Sequence, residues 1–158
     1  LGKKRSMVTA LVIYALAYAC VYFLGGHWVK YTICGAIGGA AVYMFSGFGA
    51  NYFVDCGEYH LYKTGKDTRT IAITMYSVPM KIGMTLGGAI ANFGLAFIGY
   101  QAGMTVDGAF QNKFMFLLAI LPAILVLIGA VIMQAGYKIT DEDAARYAAA
   151  NAAKYAQK

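Results

Sequence analysis

Four long apolar runs, separated by short polar stretches, frame the chain: roughly Met7–Gly25, Thr32–Val54, Thr70–Tyr100 and Phe114–Gly136. Each supplies about the 20 residues that a helix needs to cross the hydrocarbon core of a bilayer. The pattern predicts an all-α integral membrane protein with four transmembrane helices, a bundle that takes in residues 1–138. The third run exceeds one straight crossing, so it is expected to tilt, kink or end in an interfacial turn. Pro79 and Pro122 each remove a backbone donor inside a span and free the carbonyls of Met75 and Leu118. The carbonyl near Lys81 is a candidate acceptor for a substrate hydroxyl, whereas Pro122 reads as a plain kink. After the fourth run, Thr140 is placed to cap a helix whose first turn holds Asp141, Glu142 and Asp143. Residues 139–158 therefore read as an Ala-rich tail helix, lying at the surface or fraying into solvent.

The polar residues of the third run are ordered. Thr70, Thr74, Ser77, Lys81, Thr85, Gly88 and Asn92 follow one another at steps of three or four, which puts them on one face of one helix. Lys81 stands roughly 16 Å along that span, near mid-depth. A charge there costs at least ~2.5–3.5 kcal/mol, so such residues face a polar interior. A lysine side chain reaches only ~6 Å, which makes snorkelling to an interface strained. The stripe reads as the lining of a translocation pathway; its plainer reading is hydroxyls bonded to carbonyls of their own helix. Gly35 with Gly39 and Gly83 with Gly87 form GxxxG pairs, which let membrane helices approach closely.

Composition agrees: 60% of residues are hydrophobic and 13% charged, with mean hydropathy +0.58, where a soluble domain carries about 25% charged residues. The net charge of +6 does not point to nucleic acid, because the basic residues flank the apolar runs instead of forming a patch. Ten of them (Lys3, Lys4, Arg5, Lys63, Lys66, Arg69, Lys138, Arg146, Lys154, Lys158) fall on one side, and only Lys30 and Lys113 on the other. The positive-inside rule then places both ends and the central loop in the cytoplasm, with Trp28 and Tyr31 at the outer interface. Cys20, Cys34 and Cys56 form no CxxC pair, and His27 and His60 are too far apart to suggest a metal site. No nucleophile–base pair or metal constellation supports an enzyme. All seven carboxylates sit outside the span centres, so Lys81 has no counter-ion at its own level and calls for a partner. The opening Leu1-Gly2-Lys3-Lys4-Arg5 is no signal peptide and reads as the middle of a loop in a longer protein.

Several motifs stand in a distinctive order: Val54-Asp55-Cys56-Gly57-Glu58-Tyr59, Lys63-Thr64-Gly65-Lys66, Val78-Pro79-Met80-Lys81-Ile82-Gly83 and Gly136-Tyr137-Lys138-Ile139-Thr140-Asp141-Glu142. Together they resemble the glycoside–pentoside–hexuronide:cation symporters of the major facilitator superfamily, the melibiose-permease-like group, over the last four of twelve helices. The resemblance implies symport of a sugar or glycoside, coupled to sodium or protons, by alternating access in the bacterial inner membrane. It implies no cofactor; the coupling-cation ligands are expected in amino-terminal helices of the same transporter. By position it implies sugar contacts for Lys81, Tyr76, Ser77 and Met80, with Thr74 on the same face and Tyr43 where the family has an aromatic beside the sugar. Asp55, Gly57 and Glu58 match a cytoplasmic loop whose charged pairs between the halves close the inner gate. Departures are Asn51-Tyr52 in place of Ala-Asp, Cys56 in place of Tyr, extra residues around His60–Tyr62, and Pro79 beside the lysine. Two other classes stay open: a self-standing four-span protein that oligomerises, and a remnant that does not transport.

Overall fold

The computed structural model describes residues 2–24 and 28–156, apart from the side chains of residues 44–46. Gly25, His27 and Lys158, expected at a span end, in a loop and on the basic side, lie outside the described residues. The helices are α1 (Lys3–Leu24), α2 (Trp28–Thr64), α3 (Arg69–Met75), α4 (Ser77–Phe97), α5 (Gly108–Met115), α6 (Leu121–Gly136) and α7 (Asp141–Ala156). No strand occurs among the described residues. Among the described residues four stretches are long and apolar enough to cross a membrane: Lys3–Leu24, Trp28–Thr64, Arg69–Phe97 and Gly108–Gly136. The fold is all-α, as the apolar runs predict.

Packing is densest around α1, which contacts both α2 and α6. Many of the buried positions are small: Ala10, Ala15 and Ala17 on α1, Ala41 on α2, Ala123 and Ala130 on α6. Small side chains let helix backbones approach where no hydrophobic drive separates helix from lipid. At the α1–α2 crossing a Cβ on Gly38 would come within 2.9 Å of the Tyr18 ring. The GxxxG glycines behave otherwise: Cβ atoms on Gly35, Gly39, Gly83 and Gly87 would meet nothing within 4 Å. None of these four glycines admits a close helix contact within this chain.

The second span differs from its expected limits. The motif Val54–Tyr59, read as loop, is helical, and α2 continues for 37 residues to Thr64. At 1.5 Å per residue that is roughly 55 Å, well beyond a ~30 Å core, so one end of α2 projects out of the span. Nothing in Asp55–Thr64 breaks a helix; the stop is Gly65, whose φ of +72° is the left-handed conformation that closes helix ends.

The third span kinks, as its length and Pro79 predict. It breaks at Tyr76 into α3 and α4, one turn before the proline that cannot bond back to Met75. Only α3 lies against α2, and α4 has slight contact with the rest of the chain. An apolar groove of about 470 Å³ separates α4 from the start of α6. The fourth span widens ahead of Pro122: residues Phe116–Ile120 form a π turn, and the Leu121 N–H donates to the Phe116 carbonyl. The extra residue per turn accommodates the proline ring and the carbonyl that it displaces.

The tail is not free. The Asp143 N–H donates to the Thr140 hydroxyl at 3.0 Å, which caps α7 as the sequence predicts. Yet Ala144 and Asn151 are buried, and α7 lies along the projecting end of α2. The helix does not fray into solvent; it docks, with Asn151 and Tyr147 on the face that meets α2.

Candidate functional site

Two polar regions emerge, one on α3–α4 and one where the basic loops gather. On α3–α4 the stripe holds as a single face, and no residue of either helix is buried. Its hydroxyls bond into their own helix: Thr74 Oγ1 donates to Thr70 O at 2.8 Å, Ser77 Oγ to Thr74 O at 2.8 Å and Thr85 Oγ1 to Lys81 O at 3.0 Å. Asn92 does the same, through Nδ2 to Gly88 O at 2.9 Å. The plainer reading of the stripe therefore describes its donors, while each hydroxyl oxygen keeps acceptor capacity outward. Lys81 is exposed, and its ammonium makes no ion pair among the described residues. Met80 lies exposed beside it.

Tyr76 is turned the other way. Its ring packs on α2, edge-on to Phe53 with centroids 5.6 Å apart, and over Gly49, where a Cβ would stand 2.8 Å from the ring. Gly57 serves the same contact about two turns further on: its Cβ would meet the Arg69 backbone at 3.1 Å and Ala72 at 3.2 Å. The α2–α3 register runs antiparallel through these pairs, Gly57 with Arg69–Ala72 and Gly49 with Tyr76. Tyr43 of α2 is 81% exposed.

The second region gathers partners that the sequence reading missed around two residues that it named, Asp55 and Glu58. Asp55 is buried, at 7% exposure, and both its oxygens accept from Lys3 Nζ, at 2.9 and 3.0 Å. Tyr137 donates its hydroxyl to the same carboxylate at 2.9 Å. Tyr52, standing at one of the departures noted above, donates to the Lys3 carbonyl at 2.8 Å and meets the Tyr137 ring edge-on at 5.0 Å. Burial first, and then the bond to Asp55, push the Tyr137 phenol well above its usual range. A step along α2, Glu58 accepts from Arg69 Nη1 at 3.3 Å and from Asn151 Nδ2 at 2.6 Å. Asn151 also donates to the Glu58 carbonyl at 3.0 Å. Arg69 forks onto Asp67 at 2.7 and 3.0 Å, and this hydrogen bonding lowers the Asp67 carboxyl to about 2. Tyr147 of α7 closes the edge against Tyr59 and Tyr62 of α2, at 5.4 and 4.8 Å.

Asp55 and Glu58 are thus neither solvated helix ends nor empty-handed: α1, α3, α6 and α7 all send donors or ring contacts to one stretch of α2. Asn151 was the available signal, a lone amide in an alanine run. Lys3 and Tyr137 had none, since their partner lies 52 and 82 positions away in sequence.

A helical bundle with an open polar face on one broken helix and a cross-linked end has the build of a membrane carrier, and comparison with known families agrees. The model of the family described as MFS/sugar transport protein matches residues 1–141. No curated protein and no solved structure matches the chain. The match covers most of the sequence, and the chain belongs to the MFS/sugar transport protein family, the transporters of the major facilitator superfamily.

Proposed function

We propose that the chain supplies four carboxy-terminal helices of a twelve-helix symporter of the melibiose-permease-like group, which carries a sugar or glycoside together with sodium or protons. In this reading both ends of the chain are cytoplasmic, in a bacterial inner membrane. The observation that carries it is the α3–α4 face: a stripe of polar groups around one cation, on helices of which no residue is buried. Transporters of this fold form their site between two helical halves near the bilayer midplane. The face fits that place. Lys81, Tyr43, Ser77, Met80 and Thr74 meet the sugar, and Tyr76 seats α3 on α2 at the edge of the cavity. The coupling cation binds to carboxylates of the amino-terminal half. Asp55, Gly57 and Glu58 act at the inner gate by holding five helix ends of this half together, so that they move as one body.

Uptake of radiolabelled glycosides into cells making the native transporter tests this reading, with and without sodium. Lys81→Ala removes charge-assisted bonds worth ~1.5–3 kcal/mol, so transport affinity falls roughly 10- to 100-fold. Undiminished uptake by Lys81→Ala at equal membrane abundance would sink the assignment of this face to the sugar path.

A further inference from the structure

Three cations without partners of their own converge where α1 begins and α6 ends. Lys4 and Arg5 from the first turn of α1, with Lys138 just past α6, line a pocket of about 420 Å³ shared with Thr140, Asp141 and Glu142. None of the three makes an ion pair among the described residues. Neighbouring Lys3 is different, because Asp55 neutralises it. Asp141 is already engaged, accepting the Lys3 backbone N–H at 3.0 Å. Three positive side chains therefore face two negative ones. The starts of α1 and α7 also meet at this pocket, and helix starts carry positive partial charge. The pocket carries an excess of positive charge.

Its depth selects the anion. α1 and α6 both qualify as spanning helices, so the pocket lies at the headgroup level of a bilayer, on the face that the basic residues assign to the cytoplasm. On α6 itself a second groove, of about 320 Å³, is lined only by Ile124, Leu127, Ile128, Val131 and Ile132. It ends one turn, about 6 Å, before the helix stops at Gly136. We propose that the pocket binds the phosphodiester headgroup of an anionic phospholipid such as phosphatidylglycerol, with an acyl chain along the α6 groove. The inference depends on membrane placement and not on which solute is carried.

Native mass spectrometry of the detergent-purified protein tests it, by titration with dioleoylphosphatidylglycerol, dioleoylphosphatidylcholine and inorganic phosphate. One saturable phosphatidylglycerol and weaker phosphatidylcholine are expected. Replacing Lys4, Arg5 and Lys138 by Gln weakens phosphatidylglycerol roughly fivefold per charge, on the order of a hundredfold in the triple variant. Lys4→Arg with Lys138→Arg keeps the affinity, which separates loss of charge from loss of fold. Equal binding of the two lipids, or unchanged phosphatidylglycerol binding by the triple Gln variant, would overturn the proposal. Inorganic phosphate that binds as tightly as the lipid would overturn it too, by assigning the pocket to a soluble anion.

Discussion

Asn151→Ala removes the two donor bonds that hold α7 to α2, at 3.0 Å to the Glu58 carbonyl and 2.6 Å to its carboxylate. A neutral bond contributes about 1 kcal/mol net and one to an ionised acceptor ~1.5–3 kcal/mol, so their loss costs roughly 2.5–4 kcal/mol. An opposing effect sits in the same side chain. Its amide oxygen is buried without a partner, and deleting it recovers a desolvation cost of ~1–3 kcal/mol. The balance leaves the docked tail weaker by ~1–2 kcal/mol, on the order of tenfold in the undocked fraction. Asn151→Asp keeps the volume but sets a carboxylate where the amide nitrogen met Glu58. Two like charges about 4 Å apart at an effective dielectric near 20 repel by roughly 4 kcal/mol, so this variant releases the tail further. Hydrogen–deuterium exchange over residues 144–156, with the α1 amides as internal reference, reads the docking directly. Protection is expected to fall from wild type to Asn151→Ala to Asn151→Asp. Equal, fast exchange in all three would mean that α7 is not docked, and Asn151→Asp as protected as wild type would remove the Glu58 contact from the account.

Tyr137→Phe deletes one bond to the buried Asp55 carboxylate and leaves the Lys3 pair in place, so stability falls by ~1.5–3 kcal/mol; an unchanged thermal midpoint in detergent would contradict the cluster geometry. Gly57→Leu drives a side chain into the Arg69 backbone and Ala72, and is expected to separate α3 from α2 at a cost of at least ~1–3 kcal/mol. Cysteine cross-linking between positions 53 and 76 reports that separation, and full cross-linking in the variant would refute it. Asp67 and Asp143 have carboxyl pKa values below the ordinary 3.8, held there by bonds from Arg69 and from Thr140 respectively. Their contribution is therefore present above about pH 4 and is lost on acidification below it, at about pH 2 for Asp67; exchange of the α2–α3 loop and of the α7 start, corrected for intrinsic rates, should rise only below about pH 4.

How far the sequence could be read depended on the range of each interaction. Apolar runs, proline positions and the Thr140 cap are local signals, and the four helices, the break near Pro79 and the start of α7 followed from them. The end of α2 was misjudged because Val54–Tyr59 holds charges and a glycine, which look like a loop when the stretch is taken alone. Burial by α1, α3 and α7 keeps it helical, and Gly57 is there to admit α3. The docking of α7 was hidden for the same reason: an alanine-rich helix has little periodicity, and its one telling residue finds its partner 93 positions away. Positions 49 and 76 are likewise coupled only through the α2–α3 register.

The same long-range pairing bears on Lys81. Of the seven carboxylates in the chain, Asp55 and Glu58 are engaged by Lys3, Tyr137, Arg69 and Asn151. Asp67 and Asp143 are held by Arg69 and Arg146. Asp107 caps α5 through the Phe110 N–H at 2.7 Å, and Asp141 accepts from the Lys3 backbone. Glu142 lines the pocket at the start of α7. Six of the seven acids thus already hold a donor. An ammonium at mid-depth without a counter-charge costs several kcal/mol unless water or an outside carboxylate reaches it. The helix that bears Lys81 also leans away from its own bundle, and the stripe hydroxyls have spent their donors inward. What the face still offers is one cation and a row of acceptors. One cation and a row of acceptors suit a polyhydroxylated solute, with the counter-charge for Lys81 supplied from outside this chain.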